Sequence, residues 1–196
     1  VFASSEYELN QTSLAKLLRL SFQLHSSKLL NVHYTATATI RQAITVLFDK
    51  LAVKTKETIG EQETISITQR SEDDSDEVSM DLFSYAKNMY LLLRDLCLFV
   101  EGQPGIWLNV SGVSPPFVLE LVETVITGHA SLLAQYPQLV QIVEEKLCPL
   151  VEKYINTATP SSGEYAFVIR SYRIASSIIQ YFYNLLKPQC QAFLQR

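Results

Sequence analysis

The stretch TATATIRQAITVLFDKL, residues 35–51, decides the fold class. Its first half alternates threonine and alanine, and its second half is rich in β-branched and aromatic residues, both of which favour a strand. The large apolar residues nevertheless recur with the spacing of one helix face: Ile40, Ala43, Ile44, Leu47 and Leu51. A strand would instead place polar Gln42 on the same side as Ile44. The sequence therefore predicts a helix from about residue 32 to residue 55.

The rest of the chain shows the same helical periodicity between short breaks. Glycine and proline cluster near residues 102–105, 112–116, 128–137, 160–163 and 188. The segments between these clusters suit helices joined by short loops. Residues 14–26 form a further amphipathic helix ahead of the opening stretch. We therefore predict an all-α fold.

Two of these segments, residues 82–101 and 165–187, have unusually narrow polar stripes. In the second, polar residues recur at helical spacing from Arg170 to Lys187, and apolar residues lie on both flanks. A helix that is apolar on two flanks packs against neighbours on both, as in stacked helical layers. No sequence period of about 40 residues accompanies this pattern. Helix lengths and two-sided burial thus predict an armadillo/HEAT-like helical solenoid, and a compact helical bundle is the alternative.

A proline interrupts the periodic segment of residues 138–155. Pro149 lacks a backbone N–H group, and its ring clashes with the carbonyl group four residues earlier in a regular helix. We expect a kink or break near Leu147 and Cys148, with Pro149 starting a new turn.

An acidic segment divides the chain. Residues 56–81 contain nine acidic and two basic residues, and SEDDSDE at 71–77 has no apolar residue. Such a composition predicts a solvated, mobile loop. The sequence thus predicts three parts: a helical region at 1–56, an acidic flexible loop at 57–80, and a helical region at 81–196. We expect the second helical region to continue the first in one superhelix. Acidic residues follow Ser71 and Ser75, which makes both serines candidate phosphosites.

Composition and motifs exclude several classes of function. The net charge is −4, which argues against general binding to nucleic acid. The apolar runs are shorter than the ~20 residues of a transmembrane span. The chain begins at Val1 rather than Met, so we expect an internal fragment of a larger protein. Its three cysteines are widely spaced and lack a C-x-x-C pair, which predicts buried thiols in a reducing compartment.

No catalytic constellation is visible in the sequence. Dinucleotide, P-loop, zinc-protease and nucleophile-elbow motifs are all missing. The three histidines, His25, His33 and His129, are not spaced as ligands, so we expect surface or helix-end histidines. Glu120 and Glu123 share a helix face, where we expect solvated carboxylates rather than an acid–base pair. The sequence thus predicts a protein that is not an enzyme and that uses no metal or cofactor.

Two features suggest binding surfaces. The basic strip, Arg170, Arg173 and Lys187, could meet an acidic protein or anionic lipid head groups. The alternative is a solvated ridge that hydrogen-bonds to a neighbouring loop. Trp107, the single tryptophan, lies in the loop GQPGIWL and is either a binding hot spot or a plug between helix ends.

Six segments in order resemble a known family. They are TATATIRQAITVLFDKL at 35–51, AKNMYLLLRDLC at 86–97, GQPGIWL at 102–108, FVLELVETVI at 117–126, VEEKLCPLVEK at 143–153 and RSYRIASSIIQYFYNLL at 170–186. They resemble the end of the dimerisation and cyclophilin-binding (DCB) region and the following HUS region of the large Sec-seven-type Arf exchange factors. The similarity is greatest to the Mon-two-like branch and runs from about Leu14 to Cys190. The acidic loop and the short stretch around Pro160 depart from the family pattern.

The resemblance implies an armadillo-like rod in a cytoplasmic protein that is peripheral on Golgi, trans-Golgi network and endosome membranes. Mon-two-like proteins act as scaffolds without an exchange domain, with Dopey-like partners and Arf-like small GTPases, and self-association fits the DCB region. The alternative is the N-terminal autoregulatory and dimerisation region of a true Arf exchange factor. The resemblance carries over no catalytic residue, because the glutamate finger of the exchange domain lies outside this chain.

Overall fold

The computed structural model describes residues 11–65, 72–156 and 165–195. Throughout these residues the backbone is helical apart from short turns and one longer loop, and it forms no β-strand. The helices are α1 (Gln11–His25), α2 (Leu30–Ile65), α3 (Glu72–Val100), α4 (Pro115–Leu133), α5 (Pro137–Ile142), α6 (Cys148–Asn156), α7 (Tyr165–Phe182) and α8 (Lys187–Leu194), with a π-helical turn at Val143–Leu147. The all-α prediction is confirmed, and the choice between a solenoid and a bundle stays a prediction.

The stretch that decides the fold class lies inside α2, as predicted. Its threonines do not oppose the helix, because Thr35, Thr37 and Thr39 each donate a hydroxyl hydrogen bond to the carbonyl oxygen four residues earlier, at 2.7–2.8 Å. The helix face that contains Ile40 is buried, and Ile40 itself is fully enclosed. Burial of this apolar face supplies the stability that the threonines lack.

The helices on either side of the acidic segment are longer than predicted. α2 continues to Ile65 and α3 begins at Glu72, so a helical backbone replaces the predicted loop at 57–65 and 72–80. Residues 66–71 lie outside the described residues.

The core joins the two predicted helical regions. Buried hydrophobic residues from α1 to α8 form one cluster, and four of its largest members are Phe22, Phe48, Phe99 and Phe182. The rings of Phe22 in α1 and Phe99 in α3 lie 5.4 Å apart. α4 occupies a central place, because it packs against α2, α3 and α7.

α4 is apolar because it is a core helix. Among the described helices it has the length and composition of a membrane span, but 56% of its apolar window is buried inside the protein. Its backbone is distorted at His129, which has φ −130° and ψ 16°, next to Gly128. The break that the sequence predicts near Gly128 is therefore a kink, and the chain turns only before Pro137.

The proline in the segment 138–155 is accommodated by a π-helical turn. The N–H group of Cys148 donates to the carbonyl oxygen of Val143, five residues earlier, instead of four. Pro149, which has no N–H group to donate, follows this turn directly as the second residue of α6. The kink or break predicted near Leu147 and Cys148 is thus replaced by a π-helical turn within a continuous helical backbone.

The two-sided burial predicted for residues 165–187 is wrong. α7 buries one face, which contains Ile174, Ile178 and Phe182, against α4 and α6. Tyr165 and Tyr172 on another face are 74% and 51% exposed. Tyrosine tolerates this position because its ring is apolar and its hydroxyl group stays in water.

The same segment is also shorter than predicted. α7 ends at Phe182, and the N–H groups of Leu185 and Leu186 both donate to the carbonyl oxygen of Phe182 in a tight turn. Pro188 explains this end, because in a continuous helix its ring would clash with the carbonyl group four residues earlier. Lys187 consequently belongs to α8.

Candidate interaction site

The loop between α3 and α4, residues 101–114, is held by a buried carboxylate. Asp95 of α3 is fully buried and accepts hydrogen bonds from three successive backbone N–H groups: Ile106 at 3.1 Å, Trp107 at 2.9 Å and Leu108 at 2.7 Å. The guanidinium group of Arg94 lies 3.6 Å from the same carboxylate. Bonds to a charged acceptor are stronger than neutral ones, so this loop, hereafter the braced loop, is well fixed.

Glycine is required where the braced loop meets α3. A Cβ atom on Gly105 would lie 2.8 Å from Oδ2 of Asp95 and 2.8 Å from two ring carbons of Phe99. The N–H group of Gly105 donates to the carbonyl oxygen of Val110 at 2.9 Å and closes the loop. Close backbone approach, rather than an unusual φ angle, therefore explains this glycine.

The two adjacent apolar residues of the braced loop, Ile106 and Trp107, differ in their exposure to solvent. Trp107 is partly buried and packs against the hydrophobic core, and its role as a plug between helix ends stays a prediction. Ile106, by contrast, is 68% exposed. A hot-spot role for Trp107 stays a prediction. Sequence reasoning missed Ile106, because nothing in the pattern shows which of two neighbouring residues faces solvent.

Five charged side chains from three helices form an ionic cluster. Arg41 of α2 pairs with Glu120 of α4 at 2.6 Å. Arg170 of α7 pairs with Glu120 at 3.0 Å and with Glu123 at 2.5 Å. Arg173 of α7 pairs with Glu123 at 3.0 Å. The cluster contains three cations and two anions, so it keeps one excess positive charge.

This cluster corrects the interpretation of the two glutamates. Glu123 is buried rather than solvated, and both of its carboxylate oxygens are paired. Each of the two carboxylates faces guanidinium groups. The sequence could not reveal the pairing, because Arg170 and Glu123 are 47 residues apart in the chain.

The structure divides the predicted basic strip. Arg170 and Arg173 belong to the ionic cluster and contact a helix, whereas the alternative interpretation expected a loop. Lys187 is exposed on α8, beyond the turn that ends α7. Binding by the strip stays a prediction. Of the candidate phosphosites, Ser71 lies outside the described residues and Ser75 lies in the first part of α3.

Two histidines that are separate in sequence meet at the junction of α1 and α2. Nδ1 of His33 lies 2.6 Å from the carbonyl oxygen of His25, and the two rings are 4.5 Å apart. The ring of His25 also stacks on Phe117 of α4 at 4.2 Å. Burial lowers the pKa of His25, and the neighbouring His33 lowers it further. His25 is thus a buried helix-end histidine that packs as a neutral ring.

The three cysteines are free and buried, as predicted. Burial raises the pKa of Cys97 to about 12 and that of Cys148 to about 12, and it also raises the pKa of Cys190. Such thiols are poor nucleophiles and poor metal ligands at neutral pH. Across residues 11–65, 72–156 and 165–195, no group of three or more histidine, cysteine or acidic residues could hold a metal ion.

Two family models match this helical arrangement in order along the chain. Residues 1–55 match the Mon2/Sec7/BIG1-like dimerisation and cyclophilin-binding domain. Residues 85–196, more than half of the chain, match the Mon2/Sec7/BIG1-like HUS domain. The chain belongs to the Mon2/Sec7/BIG1-like family. The boundary between the two matches falls within residues 56–84, which include the acidic segment.

Individual relatives agree with the family models. The chain is 29% identical over 210 residues to the protein MON2 homolog of Xenopus laevis and 27% identical to that of Homo sapiens, and each alignment covers 99% of this chain. The MON2 homolog of Schizosaccharomyces pombe is 28% identical over 88% of the chain. The chain spans only 9–12% of the length of these relatives. No solved structure matches it.

Proposed function

We propose that this chain is a non-catalytic scaffold or regulatory region of a peripheral membrane-trafficking protein on the cytoplasmic face of the Golgi, trans-Golgi network and endosomes. One observation carries the proposal: the DCB and HUS models match in that order, at 1–55 and 85–196, and together they cover most of the chain. MON2 homologues aligned to almost the whole chain support it. The region acts by binding other proteins.

The chemistry of the described residues supports a binding role over catalysis. The carboxylates of Asp95 and Glu123 are occupied by backbone N–H groups and guanidinium groups, and Cys97 and Cys148 are buried thiols with raised pKa values. All four of these side chains are buried inside the protein. Catalysis would instead need such groups to face a reacting molecule.

Proposed partners follow from the family. They are a Dopey-like protein, Arf-like small GTPases and a second copy of the chain. The family description of residues 1–55 includes dimerisation, which supports self-association. An armadillo/HEAT-like solenoid would offer an extended surface for such partners. The basic strip contributes Lys187 and the outward side of Arg173, which is 64% exposed.

A second candidate function is supported by the name of the family itself. Its description places Sec7 and BIG1 beside Mon2. The chain would then be the N-terminal autoregulatory and dimerisation region of a true Arf exchange factor. Both candidates place the same helices in this chain, so the deciding difference is the activity of the full-length protein.

A nucleotide-exchange assay separates the two candidates. The full-length protein is mixed with Arf loaded with a fluorescent GDP analogue, with an isolated Sec7-type exchange domain as the positive control. The scaffold proposal predicts release at the intrinsic rate of Arf. Stimulation comparable to that of the positive control would overturn the scaffold proposal in favour of the exchange factor.

Self-association is tested on the 196-residue chain. Size-exclusion chromatography with light scattering reports mass directly, and a monomer has a mass of 22.2 kDa. We expect a dimer whose fraction rises with protein concentration. A monomer at every concentration would remove self-association from the proposed partners of this region.

A further inference from the structure

The connection between α1 and α2 carries an unusual group of exposed apolar side chains. They are Leu20, Leu24, Leu29, Leu30 and Tyr34, with exposures between 44% and 68%. α1 and α2 pack against each other and are joined by residues 26–29. Each of the five lies within about two helical turns of this connection, hence within roughly 11 Å along a helix axis. They therefore collect at one end of the helix pair, hereafter the hairpin tip.

The charge around the hairpin tip has one sign. Residues 11–48 contain four lysines and arginines and no aspartate or glutamate. Lys16, Arg19 and Lys28 are exposed. On α1, Lys16 and Arg19 share a helix face with Leu20, Gln23 and Leu24, because these positions follow the i, i+3, i+4, i+7 and i+8 spacing.

Among the residues that the structure describes, Lys16, Arg19 and Lys28 form no ion pair with a carboxylate of a neighbouring helix. Glu120 of α4 is already paired with Arg41 and Arg170. At the base of the tip, burial lowers the pKa of His25, and the neighbouring His33 and Arg41 lower it further. These contacts describe a region of positive potential with an apolar centre.

We propose that the hairpin tip is a docking surface for a membrane that contains anionic lipid. The leucines and Tyr34 enter the boundary between head groups and acyl chains, while Lys16, Arg19 and Lys28 contact lipid phosphates and carboxylates. Exposed apolar residues flanked by lysine and arginine are the features that hold a helix in the membrane interface. This inference deepens the proposed function, on which it rests for the presence of a membrane.

Charge also argues against a second copy of the chain as the binding partner of the hairpin tip. In a symmetric dimer the same patch lies on both sides of the interface, so the cations of one copy would face the cations of the other. Like charges in contact repel each other, and residues 11–48 contain no carboxylate that could pair with them. An anionic bilayer supplies both the apolar medium and the opposite charge.

Vesicle flotation with the 196-residue chain tests the proposal. The probes are vesicles of phosphatidylcholine alone and of phosphatidylcholine with about one third phosphatidylserine. We expect binding to the second kind only, weakened at roughly 0.5 M salt. The Leu29→Ser/Leu30→Ser variant should bind at least about tenfold more weakly because it removes apolar insertion. The Arg19→Glu/Lys28→Glu variant should lose about tenfold or more through charge.

Matched controls come from exposed residues away from the tip. Val53→Ser removes an apolar side chain of α2 that is 54% exposed and lies far along the helix from the hairpin tip. Lys87→Glu reverses an exposed charge on α3. Both variants should bind as the wild type does. Every substituted residue is exposed, so all variants should keep the wild-type melting temperature, which circular dichroism checks.

Several outcomes would overturn the proposal. The proposal fails if the wild type does not bind the phosphatidylserine vesicles or binds both vesicle types equally. It also fails if the control variants lose as much vesicle binding as the hairpin-tip variants do. If the serine variant instead converts a dimer to a monomer in light scattering while vesicles are not bound, a second copy covers the tip. None of these results changes the outcome of the exchange assay, so failure of this inference and failure of the proposed function are distinguishable.

Discussion

Single buried polar residues determine the local shape of this protein. Asp95 places a full negative charge in the interior and satisfies it with three backbone N–H groups of the braced loop. Gly105 makes this approach geometrically feasible. Unpaired burial of a carboxylate would be strongly unfavourable, so the loop and the aspartate stabilise each other. Trp107, in the same loop, packs against the hydrophobic core.

The bracing by Asp95 leads to the first prediction. Replacing Asp95 with asparagine removes the charge and turns one acceptor into an NH₂ group that faces backbone donors. We expect the free energy of unfolding to fall by about 2–4 kcal/mol. Urea denaturation followed by circular dichroism measures this loss. The exposed Glu101→Gln serves as control, with a change below about 0.5 kcal/mol; equal effects of the two substitutions would contradict the assignment.

Replacing two glycines with alanine should change the stability of the protein in opposite directions. Gly105→Ala forces a Cβ atom into Asp95 and Phe99, so we expect a loss of about 1–3 kcal/mol. Gly128→Ala places its Cβ atom in open space within α4, so we expect a gain of up to about 1 kcal/mol. Melting temperatures of the two variants, measured together, decide the matter. A neutral Gly105→Ala would show that the loop does not depend on close approach.

Helices are positioned in this molecule by contacts that cross between elements. The ionic cluster joins α2, α4 and α7 through Glu120 and Glu123. The π-helical turn before Pro149 and the turn after Phe182 set where α6 and α8 begin. Each device replaces a regular helical hydrogen bond or a solvated charge with a specific partner. The ionic cluster thus links helices that are far apart in the chain, while local turns set where α6 and α8 begin.

The two α7 arginines should differ in their contribution to stability. Arg170 has 28% of its side chain exposed and binds both glutamates, whereas Arg173 is 64% exposed and binds one oxygen of Glu123. We expect Arg170→Ala to cost about 2 kcal/mol, because it leaves the buried carboxylate of Glu123 with fewer partners. Arg173→Ala should cost below about 1 kcal/mol. Urea unfolding measures both, and the reverse order would contradict the geometry described for the cluster.

At the scale of the whole molecule, one hydrophobic cluster runs from α1 to α8. The helices matched to the DCB model and those matched to the HUS model therefore share buried surface, for example where Phe22 meets Phe99. Global unfolding should then report on both parts together. Two histidines connect overall stability to pH: His25, which is buried, and His129, which is partly buried.

Stability should fall as the pH drops below neutral. Burial lowers the pKa of His25 and of His129 below the ordinary value of 6.5, although Asp49 partly opposes the effect at His129. The unfolded chain therefore binds these protons first, and stability rises with pH wherever the unfolded state holds more protons. The contribution is fully present well above pH 6.5 and is lost as the pH falls through 6.5 toward the lowered pKa values.

Urea midpoints near pH 7.5 and near pH 5.5 test this dependence. The wild type should have the lower midpoint at the acidic pH. In the variant His25→Gln/His129→Gln, the difference between the two midpoints should shrink, since neither side chain can take up a proton. A difference as large as that of the wild type would assign the pH dependence to other groups.

The helices and their family could be predicted from the sequence, but several of their contacts could not. The spacing of Ile40, Ile44 and Leu47 is enough to reject a strand, and the clash at Pro149 is enough to place an irregular turn. By contrast, the same periodicity wrongly carried α7 through to Lys187 and buried Tyr172. A pattern of apolar residues shows which faces are able to pack, but it does not show which of them finds a neighbour.

The sequence by itself determined an all-α chain, its main breaks, its buried thiols and its membership of the Mon2/Sec7/BIG1-like family. Those properties depend on residues within a few turns of one another, or on ordered motifs along the chain. Only the tertiary structure decided that Arg170 pairs with Glu123, that Asp95 holds the braced loop and that α7 is buried on one face. The reason is physical: an ion pair or a covered face requires residues far apart in the chain to meet, and local periodicity contains no record of that meeting.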